Sequence, residues 1–303
     1  MDRFRLESVP SIHRLFREPG FSKVTTTLLH AQRNCVTAPR RVEVGVRVGA
    51  VSYLNTKPLV YGLAERPSEI DVVYDLPSRL ADRLHQGQLD VALIPSIEYL
   101  RHPEYQIVSD ACIGCQGPVL SVKLLSRGPM DRISELALDE GSRSSAVMVQ
   151  ILLKAKFGVE PQLQLLPHGA DLNDATADAV LLIGDRAIHA PKTEYQVSWD
   201  LGEQWCRWSG LPFVFAMWVA RDDRDIGSLA THLSASRDAG MDHLECIARV
   251  EGPRVGLTFE RTLRYLRDNL HFFLGPSEQR GLEHFRRCAA ELGACLPEKE
   301  RTM

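Results

Sequence analysis

Val48-Gly-Ala-Val-Ser-Tyr-Leu-Asn55-Thr-Lys-Pro58-Leu59 joins an apolar strand to a polar turn and then to the start of a helix. Upstream, Val42, Val44, Val46 and Val48 alternate within Arg41 to Ala50, as in the first strand of a buried sheet. Pro58 needs no N–H in a first helical turn, so it is read as opening a helix whose inward face is Leu59, Val60 and Leu63. Asn55 then stands past the carboxyl end of a strand and before a helix amino terminus, where open α/β sheets bind ligands. On this stretch alone it either caps its helix or faces a ligand.

Downstream the same alternation repeats. Asp71–Asp75 reads as a strand, Pro77–Leu84 as a helix and Asp90–Ile94 as a buried strand. Pro95-Ser96 breaks that strand before a helical turn over Ile97–Arg101. Such βαβ units imply a mainly parallel sheet with right-handed crossovers. Ile113 to Ser126 joins a Gly/Pro-rich turn to an extended apolar run, a crossing strand that contains Ser121. A second α/β unit follows, with strands at Ala137–Asp139, Pro161–Leu166 and Asp178–Ile183 and a helix over Ala146–Phe157 that ends at Gly158. Gly210 to Ala220 reads as a second crossing strand, and everything from Asp222 onward as covering helices.

Two α/β units joined by two crossing strands predict a two-lobed α/β protein of the type II periplasmic-binding-protein kind, with a ligand cleft between the lobes. Residues 42–125 and 217–303 form the expected first lobe and 126–216 the second. Residues 1–41 lack a steady apolar period and read as an N-terminal extension, either a loosely ordered arm or an overcalled start. Polar residues gather on the cleft side: Asn55, Ser96 and Ser121 from the first unit, Ser142, Arg143, Ser144, Ser145 and Asp185 from the second. Hydroxyls and an arginine at a helix amino terminus suit a carboxylate, because N–H groups, O–H donors and the helix dipole converge there. Ser142 or Ser144 serves equally well as an ordinary N-cap, and Asp185 either caps the turn after it or touches a ligand.

Composition narrows the partner. The 303 residues are 44% hydrophobic and 25% charged with a net charge of -3, and no basic stripe suggests nucleic acid. No window approaches the roughly 18 to 20 apolar residues of a membrane span. A small molecule or a protein is the expected partner. The first residues hold no uninterrupted apolar run of about 7 to 15 residues as a secretory signal would, so the chain is read as cytoplasmic. Seven scattered cysteines fit reduced thiols, and Cys112-Ile-Gly-Cys115, without a second pair or a histidine at ligand spacing, reads as structural. Glycine loops for nucleotides and the Gly-x-Ser-x-Gly and His-x-x-x-His motifs are absent from the sequence.

Six motifs occur in order: Tyr53-Leu-Asn55-Thr-Lys-Pro58-Leu59, Gly87-Gln-Leu-Asp90-Val-Ala-Leu-Ile-Pro95-Ser96-Ile-Glu98, Gly117-Pro118-Val-Leu-Ser121-Val, Ser142-Arg143-Ser144-Ser145, Ile183-Gly184-Asp185, and Asp200-Leu-Gly202-Glu-Gln-Trp205 followed by Gly210-Leu-Pro-Phe-Val-Phe-Ala216. Together they closely resemble the chorismate dehydratase family of the futalosine route to menaquinone, over about Arg47 to Leu292; the first forty residues have no counterpart in that pattern. The resemblance implies a two-lobed enzyme that converts chorismate to 3-[(1-carboxyvinyl)oxy]benzoate and water without metal or organic cofactor. It implies that Asn55 and Ser121 are catalytic, and that Ser96, Ser142, Arg143, Ser144, Ser145, Gly184 and Asp185 bind substrate. No histidine stands in any motif as a base, so the expected proton acceptor is the substrate's own enolpyruvyl carboxylate, with Asp185 as the one motif carboxylate that could replace it. The rival readings are an anion-specific solute-binding protein of the same fold and the related 1,4-dihydroxy-6-naphthoate synthase. The latter family's Cys-Pro-Asn type of first motif differs from Tyr-Leu-Asn-Thr-Lys-Pro here.

Overall fold

The computed structural model describes residues 45–63, 65, 70–172, 175–191, 195–221 and 226–295. The chain divides into Met1–Val42 and Glu43–Met303. The expected N-terminal extension, 1–41, lies outside the described residues, as does the first part of the strand expected from Arg41. All described residues belong to the second unit.

Strand β1 (Val46–Val51) is fully covered along its second half, and it pairs in parallel with β2 (Ile70–Asp75) and β3 (Val91–Pro95). Between them α1 (Pro77–His85) begins on its proline, buries Leu80, Ala81 and Leu84, and is followed by Gly87 in the left-handed region. After α2 (Ser96–Arg101), β4 (Tyr105–Cys115) leads out of the first lobe. The chain then enters the second sheet through β5 (Val122–Ser126), β6 (Glu135–Asp139), α3 (Ser144–Phe157), β7 (Gln162–Leu166), β8 (Ala179–Ile183), α4 (Gly184–Ile188), β9 (Val197–Asp200) and α5 (Leu201–Ser209). It returns through β10 (Phe213–Arg221) and ends in α6 (Leu229–Asp242), α7 (Leu244–Glu251), α8 (Phe259–Arg264), β11 (His271–Phe273) and α9 (Pro276–Glu291). The strand orders are β11-β4-β10-β3-β1-β2 and β7-β6-β8-β5-β9. Among the described residues no helix is long and apolar enough to cross a membrane.

Both sheets are mixed, not mainly parallel, and the geometry of crossing explains why. The parallel strands of each lobe point their carboxyl ends at the other lobe. A strand that arrives from that lobe must start there and run the opposite way. Thus β5 begins with Val122 opposite Ile183, the last residue of β8, and ends with Ser126 opposite Ala179. Likewise β10 sets Ala216 against Pro95, the end of β3, and Ala220 against Val91. The passages between sheets are 116–121 and 210–212, so β5 belongs to the second sheet and all of β10 to the first.

Four local expectations are corrected. Pro58 does not open a helix: it lies inside a 3-10 turn over Leu54–Val60, because the chain already coils at Tyr53, whose carbonyl accepts the Thr56 N–H at 3.1 Å. Leu59, Val60 and Leu63 are nevertheless buried as expected. Ile113–Cys115 closes the long β4 instead of starting a crossing strand, and Ser121 precedes β5 instead of lying within it. The carboxyl-terminal part is not all helix, since three residues, His271–Phe273, extend the first sheet at its β4 edge. A run this short shows no readable alternation.

Gly240 fixes how α6 sits on the functional turn. A Cβ there would stand 2.0 Å from the Pro58 carbonyl oxygen, and backbone cannot yield as a flexible side chain would. Gly240→Ala is therefore expected to lower stability by about 1–3 kcal/mol, read as a fall in the midpoint of urea or thermal unfolding; an unchanged midpoint would refute the close packing.

Candidate functional site

The cleft between the sheets holds a narrow cavity of about 60 Å³ lined from both sheets. Its apolar wall comes from Val51, Pro77, Pro95, Ile113 and Phe215, and its polar wall from Tyr53, Asn55, Ser121 and the start of α3, Ser142 to Ser145. Tyr53 and Asn55 thus lie just past a strand's carboxyl end and Ser142 to Ser145 at a helix amino terminus, while Ser121 immediately precedes β5.

Ser121 is placed by its neighbours' backbone. Leu120 has φ +65°, a left-handed conformation that a branched-chain residue rarely adopts. The Asp200 carboxylate holds it there, accepting the N–H of Val119 at 2.9 Å and of Leu120 at 2.6 Å while capping α5 through the Glu203 N–H at 3.1 Å. Two further bonds tether the same passage: Gln116 Nε2 donates to Glu278 Oε1 at 2.9 Å and Asn269 Nδ2 to the Pro118 carbonyl at 2.9 Å. Backbone strain of this kind, of order 1–3 kcal/mol, persists only where surroundings impose it, and it gathers at functional sites. Ser121 itself is 1% exposed, and its hydroxyl reaches the Val119 carbonyl only at 3.4 Å.

Asn55 is held less by its own bonds than by the turn that carries it. Its Oδ1 accepts from Thr56 Oγ1 at 3.4 Å, a long contact. The turn is fastened to the second lobe by Asp185, whose two carboxylate oxygens accept the Leu54 N–H at 3.1 and 3.3 Å. Asp185 therefore neither caps α4 nor stands on the cavity wall. Burial raises its pKa, and the Leu54 N–H, His189 and Lys57 only partly oppose that. Gly184, which does line the cavity, takes φ +63°, and a Cβ on it would lie 2.8 Å from the Tyr53 ring. Its task is close approach of that ring. Burial also raises the Tyr53 phenol's pKa, helped by Asp139 and Asp185, so it stays a proton donor.

Helix α3 runs 14 residues with no side chain capping its first turn, and four residues around its start line the cavity. Ser144 is already committed: its Oγ donates to the Phe215 carbonyl at 3.1 Å, accepts the Ile97 N–H at 3.2 Å and meets the Ser96 Oγ at 3.1 Å. It bolts the second lobe to the first, and Ser96 lies behind it, fully buried and off the cavity wall. Arg143 reaches Asp82 at 2.8 and 2.9 Å and Glu98 at 3.4 Å, so its charge is shared with two carboxylates of the first lobe. Ser142 and Ser145 remain beside the helix end, and the buried Ser142 Oγ has no hydrogen-bond partner among the described residues. Arg79 of α1 pairs with Glu140 at 2.8 Å, a further ion pair between the lobes. Of the residues singled out from sequence, seven thus meet around one cavity, while Ser96 and Asp185 stand one layer behind.

The pattern of known relatives agrees with this arrangement. A family model described as menaquinone biosynthesis matches residues 46–291. The chain belongs to that family. A curated relative, the chorismate dehydratase of Thermus thermophilus, is 30% identical over 257 residues, which cover 78% of this chain and 93% of the relative. Among solved structures, a protein of Archaeoglobus fulgidus superposes with a TM-score of 0.67 at 17% identity, over 84% of this chain and 99% of that one. The periplasmic aliphatic sulphonate-binding protein SsuA of Escherichia coli gives 0.57 at 13% identity, over 84% and 94%. These two likenesses show the fold: that of the periplasmic binding proteins.

Two features were not legible in the sequence. Nothing in the spacing of Asp200 foretells that its carboxylate is spent on residues 119 and 120, far away in the chain. Nor does a lone tyrosine on a covering helix, Tyr265, announce that it ends beside Asn55 and Ser121.

Two outcomes are expected from this geometry. Asp200→Ala removes the acceptor of three N–H groups, and since a hydrogen bond to a charged group contributes about 1.5–3 kcal/mol, unfolding in urea should show a loss of at least one such bond together with weakened function of Ser121. Unchanged stability would contradict the role given to Asp200. The second concerns pH. A raised Asp185 pKa means the folded state holds that proton more tightly. Its contribution to stability is present below the ordinary carboxylate range near pH 4 and is lost as pH rises through the raised value. Asp185→Asn should therefore gain stability relative to wild type between about pH 4 and neutrality, and urea midpoints that differ by a constant over that range would disprove the burial effect.

Proposed function

We propose that this member of the menaquinone biosynthesis family is a chorismate dehydratase that forms 3-[(1-carboxyvinyl)oxy]benzoate and water. One observation carries the reading: among the described residues the cavity wall offers Asn, Ser and Tyr donors, an arginine and a helix amino terminus, but no carboxylate and no imidazole. A dianionic substrate is welcome there. A reaction that needs a protein base is not.

Chorismate carries its own base. The C3–H bond and the C4–OH bond break, the C3 proton passes to the enolpyruvyl carboxylate, the electron pair it leaves completes the aromatic ring as hydroxide departs from C4, and the new carboxylic acid returns its proton to hydroxide, which leaves as water. Aromatisation supplies the drive, so the protein's contribution is to hold the reacting conformer and to stabilise charge on the leaving oxygen. In this reading the Ser142–Ser145 end of α3 receives a carboxylate, while Asn55 and Ser121 orient the ring and hydrogen-bond the departing hydroxyl. Asp185, occupied by the Leu54 N–H, anchors the turn.

The test is incubation of the purified protein with chorismate, followed by ultraviolet absorbance and mass spectrometry. An aromatic product lighter than chorismate by one water is expected. Removing one donor aimed at developing charge typically lowers kcat by about 10²-fold or more, so Asn55→Ala and Ser121→Ala should each be slow. Tight binding of unchanged chorismate would overturn the reading in favour of an anion-binding protein, and no binding would point to the larger substrate of dihydroxynaphthoate synthase.

A further inference from the structure

Tyr265 belongs to none of the sequence motifs, yet it is 0% exposed and its hydroxyl makes no hydrogen bond of acceptable geometry within the described residues. Buried polar atoms of that kind are few in a native protein, and each calls for a reason. This one lies beside the Ser121 hydroxyl and the Asn55 amide. Those two side chains are themselves weakly engaged, each with one contact at 3.4 Å. Three buried polar groups with slack hydrogen bonds therefore meet at the edge of the cavity.

The local backbone shows the same focus. Tyr265 starts a single π-helical turn, Tyr265–Asn269, which continues α8. Such turns are rare and occur frequently at functional sites, because the extra residue re-aims a side chain that a regular helix would point elsewhere. The last residue of the turn is Asn269, which donates to the Pro118 carbonyl at 2.9 Å. One turn thus delivers the phenol to Ser121 and grips the passage on which Ser121 is mounted. Burial raises the phenol's pKa, with Asp185 adding to the effect, so Tyr265 keeps its proton and acts as a donor, not a base.

We propose that Tyr265 is a positioning residue for the dehydration: its O–H donates to Ser121 Oγ, its oxygen accepts from the Asn55 amide, and the Ser121 O–H is thereby turned from the Val119 carbonyl into the cleft. The inference rests on the dehydratase reading for its chemistry. A hydroxyl that accepts one bond donates the next more strongly, so the chain from phenol to serine to leaving hydroxyl is cooperative. Tyr265 does not touch substrate in this scheme; it decides which way Ser121 points.

The experiment has two readouts. The first is kinetic. Loss of one neutral hydrogen bond is worth about 0.5–1.5 kcal/mol, so Tyr265→Phe should lower kcat on chorismate by about three- to tenfold and leave KM unchanged. Tyr265→Phe combined with Ser121→Ala should lose less than the product of the two single losses, since the phenol acts in large part through that serine. Undiminished kcat, or losses that multiply in the double variant, would overturn the proposal.

The second readout needs no turnover and no stable tyrosine variant. In full-length protein labelled at tyrosine Cζ, the Tyr265 resonance should move when Ser121 becomes Ala, because the phenol loses its acceptor; a resonance that stays in place overturns the proposed bond. If wild-type protein is inert towards chorismate, the dehydratase reading and the dehydration role fall together, and the phenol–serine bond stands or falls on the resonance alone.

Discussion

The carboxylate of Asp200 does three things at once: it caps α5 and it accepts the N–H groups of Val119 and Leu120. The passage between the lobes is thereby forced through a left-handed leucine, and the residue after that kink is Ser121. A left-handed branched-chain residue is unfavourable in isolation, so the arrangement exists only because charge-assisted hydrogen bonds outweigh the strain. Much of the site depends on that bend. Ser121 reaches the cavity through it, β5 starts opposite the end of β8 because of it, and Tyr265 and Asn269 are packed against it from the other side.

The lobes are then joined by bonds that reuse residues with a motif signature. Ser144 ties α3 to Phe215 and Ile97, Asp185 ties the Asn55 turn to the second lobe, and Arg143 reaches Asp82 and Glu98. Hydroxyls and carboxylates at strand ends thus divide into two groups. One group keeps hydrogen-bonding capacity for the cavity; the other, which includes Ser144 and Arg143 on the cavity wall, sets the closure of the walls around it. The distinction is physical: a side chain that has already satisfied its hydrogen bonds across the lobes has little left for a ligand, whereas Ser142, Asn55 and Ser121 are weakly engaged or unpaired among the described residues.

That division explains what the sequence could show. Alternating valines, Pro77 at a helix start and Gly158 at a helix end are local signals, and each element they mark is present. The two-lobed plan followed from the order of elements, since a long apolar run after an α/β unit has few places to go. Pro58 misled because a proline suits a 3-10 turn as well as a first α-turn, and the hydrogen bond that starts the turn at Tyr53 leaves no trace in residue types. Strand direction was illegible for the same reason: whether β5 and β10 run with or against their neighbours depends on which lobe they come from, not on their composition. Ser96 and Ser144 look alike in sequence, and only the packing of β10 against α3 shows that they bond to each other.

The proposed chemistry needs a cleft that supplies donors and a substrate that supplies the base. The most direct test is turnover of chorismate esterified only at its enolpyruvyl carboxylate, with binding of the ester measured in parallel by calorimetry. If the substrate's carboxylate takes the C3 proton, the bound ester gives no aromatic product. Formation of that product from the bound ester at a rate near that of chorismate would show that a group of the protein removes the proton, and would contradict a substrate-assisted dehydration.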